Sequence, residues 1–530
     1  VNATRAVAAG VGCMAVVRIG LWRPLENRRP AMILLGAMAV LSVASFYNLG
    51  FPQFWDNEAR RPTFVHGHDL RVYFPTAKYF DELGYDGVYL ASVQAYSEDR
   101  LDGTLRGIED IEVRDLRDYE MRAVEEIEPE IRAVRSRFSP ERWEGFKRDM
   151  AYFWRSMGER GYFDSLRDHG GNATPAWLWI AHVLYGSADA EDAVFWRWGL
   201  LDPLLLLALF LVAWRTFGLR AALVSMIVFG GTTFYQLGSN WGGATLRNDW
   251  MVLLGFGICA LAVRRDFLAG ALLGWSAMIR AFPAVALVFV AAWFGLVWFR
   301  ARSSHANASV VRTVIAPFAQ LVAGVLAIVL VLGVASSATF GFEESWVAWG
   351  EKIGVHVNDP NVNHVGLTAL VGYKTDNLWD NLRDRGEDPR LWKPLTRQTV
   401  RERWWIRAIG VLIFMGLAVV ATARNRLADA AILGTMMIPV IFYPSNYYLH
   451  CLFLWPLLLA RKERDVDRDW AVIATTLLAL CAAQWFGWLI PGRYGQFLVW
   501  SGMLLIAMLV VLIVAARHHP TPAPQTLEKG

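Results

Sequence analysis

From Ala31 to Tyr47 the chain reads AMILLGAMAVLSVASFY, with no charged side chain. Similar blocks begin near Trp198, Ala221, Trp250, Phe267, Ala281, Val314, Ala408, Ala430, Leu449, Ala471 and Phe497, giving about twelve candidate spans by length. In hydrocarbon such a block must satisfy its own backbone hydrogen bonds, which predicts helices. The blocks at 267–279 and 449–460 are short and need tilting, kinking or shielding by neighbours. Composition agrees: 55% of the 530 residues are hydrophobic and only 19% are charged, too few for an ordinary soluble chain of this length. The expected fold class is an all-α polytopic membrane protein.

Basic residues set the orientation. With the segment before Ala31 in the cytoplasm and sides alternating, inner segments hold Arg215, Arg220, Arg264, Arg265, Arg300, Arg302, Arg424, Arg426, Arg461, Lys462 and Arg517. Short outer segments hold only Arg247, Arg280 and Arg493, an asymmetry that follows the positive-inside rule. Residues 1–30 read as a cytoplasmic or interfacial segment. The apolar stretch 6–22, interrupted by Arg18, is an interfacial helix or an extra span, and no cleavable leader is expected. Residues 31–516 form the transmembrane domain, and the tail 517–530 has the composition of a disordered segment. The expected location is a bacterial-type inner or plasma membrane. A net charge of +4 without a basic patch excludes nucleic acid as a partner. Cys13, Cys259, Cys451 and Cys481 lie in apolar runs without metal or disulfide spacing.

Two outer loops are long, about 48–197 and 341–407. In the first, residues 97–170 form an insertion dense in both charge signs. Its apolar Ile108, Ile111, Leu116, Met121, Val124, Ile127, Ile131 and Val134 recur at helical spacing, predicting one or two surface helices with a solvated charged face. Ser139 then caps a further helix that has Pro140 in its first turn.

Polar side chains gather on the outer side. Asp56, Glu58, His66, His68, Asp69 and Arg71 follow the first block, and Asn240, Arg247, Asn248 and Asp249 precede the Trp250 block. Arg280 occupies a tight outer turn. Lys352, His356, Asn358, Asp359, Asn361, Asn363 and His364 open the second loop, and Asn446, Tyr447, Tyr448 and His450 form a late turn. Charges at membrane depth are costly and tend to mark function, so the pattern predicts a polar cavity at the outer leaflet.

Four segments carry a resemblance. HDLRVYFPTAKYFDELGYDGVY resembles the first outer loop of GT-C glycosyltransferases, especially the family 87 mannosyltransferases that use polyprenol-phosphate sugars. RNDWMVLLGFGICALAVRRDFLAGALLGWSAMIRAFPAVALVF is similar to that family's Asn–span–basic pair–Ala-Gly-X-X-X-Gly pattern. NDPNVNHVGLTALV resembles its second-loop Asn-rich segment, and FYPSNYYLHCLFLWPLLLA its late turn. The four occur in the family's order between 31 and 460. Two departures stand out: ATPAW replaces a Tyr-Pro-Pro element, and the 97–170 insertion lengthens the first loop.

The resemblance implies a GT-C-like fold and transfer of a sugar, with mannose the family's example, from a polyprenyl-phosphate donor to a glycan, lipid or protein acceptor on the exoplasmic face. Asp69 is then the general base, and one base implies inversion. His364, Arg280, His450, Arg71, Asn363 and His68 are the expected substrate contacts. The residues alone also allow Asp69 as a helix cap and Asp56 or Glu58 as the base. His66 and His68 have a spacing that can bind metal, but neither metal nor cofactor is expected. Trp346 and Trp349 could stack on a sugar or simply pack. Two other classes fit the composition: a transporter or flippase of a lipid-linked or polar solute, and an assembly protein binding a partner through the 97–170 insertion.

Overall fold

A computed structural model describes residues 1–20, 29–235, 245–303, 314–356, 360–462 and 467–518. Asn240, Asn358, Asp359, the His356 side chain and the tail beyond 518 lie outside the described residues.

The protein is nearly all helix. Among the described residues, eight helices are long and apolar enough to cross a membrane: Asn2–Gly20, Arg29–Phe46, Asp192–Phe217, Ala284–Arg302, Ala316–Phe340, Trp404–Arg424, Arg468–Gly487 and Arg493–Arg517. Four shorter apolar helices, Leu219–Gly231, Asp249–Ala262, Asp266–Ile279 and Leu427–Ile441, pack among them. The block expected at 449–460 is not α-helical. Asn446–Leu457 winds as 3₁₀ turns with Pro456 inside, and Leu449–Leu457 are buried throughout. At ~2.0 Å per residue, the tighter winding carries these twelve residues ~24 Å, where an α-helix would reach ~18 Å.

The Asn2–Gly20 helix packs on the Arg29–Phe46, Leu219–Gly231 and Arg468–Gly487 helices. Its Arg5, buried over the Tyr235 ring at 4.5 Å, donates to the carbonyls of Gly230 and Thr232. These belong to the C-terminal end of the Leu219–Gly231 helix, where carbonyls lack partners of their own helix. The stretch is thus built into the helical core. Two glycines set the closest crossing. Gly270 of the Asp266–Ile279 helix faces the backbone of Leu321, and Gly324 faces that of Phe267, leaving no room for a Cβ at either.

Residues 48–197, the stretch expected as the first outer loop, form a compact unit. Hairpin Phe54–Asp56/Arg61–Thr63 precedes the Gly67–Lys78 helix, which packs on Pro140–Ser165 and Pro175–Tyr185 around Phe74, Phe153, Tyr185 and Phe195. As expected, Ser139 Oγ accepts from the Arg142 amide and Pro140 opens the helix. Of the one or two surface helices expected across 101–138, one short α-helix forms, Glu128–Val134, and the stretch before it folds instead as a hairpin in which Glu112–Arg114 pairs antiparallel with Met121–Ala123. Asp102, Gly103 and Gly107, all at positive φ, break the helical path. Ile108, Leu116, Val124, Ile127, Ile131 and Val134 are nonetheless buried. The segment expected as the second outer loop leans on this unit. Lys352 donates to the Tyr85 carbonyl at 2.9 Å, with burial pulling its ammonium down to about 8, and Trp349 donates to the Asn172 carbonyl.

Candidate functional site

The site is built on the Thr245–Asp249 turn. Tyr185 bonds the Thr245 hydroxyl, and Trp177 Nε1 donates to the Leu246 carbonyl at 3.1 Å. Leu246 holds φ 55°, a left-handed conformation that costs a leucine about 1–2 kcal/mol. Just beyond it, the successive amides of Arg247 and Asn248 donate to the two oxygens of Asp202, at 2.8 and 3.2 Å. Asp202 lies in the first turn of the Leu201–Phe217 helix and is buried, so these amides supply partners that water cannot.

The turn aims Arg247 at the compact unit. Its guanidinium grips both oxygens of Asp69, with Nε to Oδ2 at 2.9 Å, and lies 3.9 Å from the centre of the Tyr73 ring. Asp69 and Tyr73 are four residues apart on the Gly67–Lys78 helix and share a face. Asp69 therefore does not cap its helix: His66 holds the N-cap position, and the Asp69 carboxylate is buried in a side-chain ion pair. Burial pushes the His66 imidazole down to about 4 against the pull of the Asp69 charge, so it stays neutral.

Next to this pair is a small hollow, partly open to the surroundings. Arg247, Asn248, Trp250 and Met251 line one part, Arg280 another, and Tyr447, Tyr448 and His450 the rest. Arg280 follows the last turn of the Asp266–Ile279 helix. His450 lies in the 3₁₀ segment, its Nε2 2.9 Å from the Phe229 carbonyl and its ring stacked on Phe229 at 4.6 Å. That carbonyl contact occupies one ring nitrogen, while its place in the wall puts His450 in the same hollow as Arg247 and Arg280. Tyr448 packs on Phe282 and Tyr447, giving the hollow an aromatic side.

The other expected contacts fall in three places. Asn363 and His364 pair with the turn that carries Tyr447: His364 bridges Ser445, the Asn446 amide donates to the Asn363 carbonyl, and Asn363 Nδ2 donates to Asn446 Oδ1. They brace the wall and are not among the residues lining the hollow. His68 leans toward the exposed Asp168, 3.8 Å away, and Asp168 Oδ1 accepts the His169 amide at 2.8 Å. Arg71 is not placed as the expected substrate contact. It is fully buried inside the compact unit, donating to Ser92 Oγ and the Ser165 carbonyl with Tyr89 and Tyr162 on its faces. Residues two apart on a helix point about 200° apart, which turns Arg71 away from Asp69.

The rival acids are spent locally. Asp56 Oδ1 accepts the amides of Glu58 and Ala59 in the hairpin turn, and Glu58 is exposed beside Arg155. Trp346 donates to Ser336 Oγ and Trp349 to Asn172, so both indoles serve packing. Sequence reading missed Asp202 and Tyr73. An acid interrupting LLDPLLLLALF was the available signal for the first.

Compared with known proteins, the chain matches no family model, no curated protein and no solved structure.

Proposed function

We propose that the protein is an integral-membrane glycosyltransferase of the GT-C kind, moving a sugar from a polyprenyl-phosphate donor to an acceptor hydroxyl on the exoplasmic face. The observation that carries this reading is convergence. Asp69, Arg247, Arg280 and His450 come from four distant segments, and the last three share one hollow whose Arg247 holds Asp69. On this reading the eight long and four shorter apolar helices, with the 3₁₀ segment, all cross the bilayer. The compact unit and the second loop then face the exoplasm of a bacterial-type plasma membrane.

Asp69 takes the proton of the acceptor hydroxyl as its oxygen attacks the anomeric carbon, a contribution of about 10²–10⁴-fold. The bond from that carbon to the phosphate oxygen breaks, and Arg247 and Arg280 meet the charge developing on the leaving phosphate. One-step displacement inverts the anomeric carbon. Tyr447, Tyr448 and Trp250 offer faces for the sugar or the first isoprene unit.

The test is transfer by purified protein in nanodiscs, from radiolabelled polyprenyl-phosphate sugars to a membrane extract of acceptors. Absence of transfer from every donor, by protein with a cooperative melt, would falsify the proposal. A second reading, an ion-coupled transporter, draws on Asp202 and Asp249, buried acids in the first turns of apolar helices. Solute flux into proteoliposomes without sugar transfer would favour it.

A further inference from the structure

Arg247 presents a planar fork that fits carboxylate and phosphate alike. In the structure the fork is filled by Asp69, a group of the chain itself. Arg280, half-buried in the same hollow, has no carboxylate within 4.0 Å among the described residues. Of the other acids near this turn, Asp202 is committed to the two amides of the turn, and Asp249 Oδ1 accepts the Trp250 amide at 2.7 Å. The hollow thus holds two guanidinium groups, one paired with Asp69 and one that feels the Asp249 charge without contacting a carboxylate.

We infer that Asp69 is the resident anion of a phosphate site, displaced from Arg247 when a lipid phosphate seats between Arg247 and Arg280. Exchange keeps Arg247 paired at every stage, and the buried carboxylate it releases takes the acceptor hydroxyl as its new partner. Where the exchange rests on the transferase reading, it also sets an order. The carboxylate is tied to Arg247 until the donor binds and is released beside the sugar only afterwards, so donor precedes acceptor and the empty enzyme holds its base out of reach.

The experiment measures binding, separately from sugar transfer. Full-length protein in nanodiscs is titrated with geranyl phosphate, with inorganic phosphate and geraniol as parallel probes. Asp69→Asn removes the competing anion and should bind geranyl phosphate at least about 10-fold more tightly than wild type, the size of one charge-assisted hydrogen bond. Arg247→Gln in that background should erase the gain, Arg280→Gln should weaken binding in both, and geraniol should not bind. Equal or weaker binding by Asp69→Asn overturns the inference. Inorganic phosphate binding as tightly as geranyl phosphate overturns the assignment to a lipid phosphate. Should Asp69→Asn fail to fold, infrared difference spectra of wild type carry the test: geranyl phosphate must shift a carboxylate stretch, and an unchanged carboxylate region refutes the exchange. A protein that passes these tests yet transfers no sugar refutes the transferase reading alone.

Discussion

Replacing Gly324 by alanine tests whether the fold holds the site as described. A Cβ there would stand 2.0 Å from the Phe267 carbonyl oxygen and 2.8 Å from the Ala271 amide nitrogen. Carbon and oxygen in close contact stay about 3.3 Å apart, so the Ala316–Phe340 and Asp266–Ile279 helices must separate by more than about 1 Å. Both obstructing atoms are backbone, and no rotamer change relieves them. Overpacking of this kind costs about 1–3 kcal/mol, and the rigid neighbours place Gly324→Ala at the upper end. Gly333 lies on the same helix with nothing within 4 Å of its would-be Cβ, so Gly333→Ala is the matched control. The assay is thermal unfolding of purified protein in one detergent: Gly324→Ala should melt well below wild type and Gly333→Ala should not. The Asp266–Ile279 helix leads directly into Arg280, so the same shift should cost about 10²-fold in turnover. Equal melting of the two alanine variants would refute the crossing and the placement of Arg280 that follows from it.

Asp69→Asn should lower transfer by about 10²–10⁴-fold, whereas Asp56→Asn should keep it while losing about 1 kcal/mol from its hairpin turn; normal turnover in the first variant removes Asp69 as base. Arg5→Met leaves the Gly230 and Thr232 carbonyls without their donor and should cost about 1–3 kcal/mol for each, read as a lowered melting temperature. Acid should destabilise the compact unit through His66. Its folded imidazole titrates at about 4 and the unfolded one near 6.5, so the unfolded chain takes the proton first. Stability is therefore lost as pH falls below 6.5 and levels off near 4, by up to about 3 kcal/mol. His66→Gln should flatten this part of the pH–stability curve, and an unchanged curve would contradict the burial of a neutral imidazole.

How far the chain could be read in advance differs by element. The Ser139–Pro140 start was legible because a cap acts within three residues. The apolar positions of 101–138 were legible as buried but not as hairpin: the same residues are buried by either path, and the glycines that choose between them act through φ. The 3₁₀ path of Asn446–Leu457 was hidden, since an apolar run does not reveal how tightly it winds. In the site, the sequence pointed to Asp69, Arg280 and His450. It gave no reason to exclude Arg71, and it could not pair Arg247 with Asp69, 178 residues away.

By itself the sequence determined a chain of membrane-length helices with polar groups gathered at one set of ends, because hydropathy and charge cost act on each segment separately. Which of those groups meet was decided only by the tertiary structure. The Asp202 carboxylate, the left-handed Leu246 and the glycine crossing are each set by contacts between distant segments: the first two aim Arg247 at Asp69, and the third places Arg280.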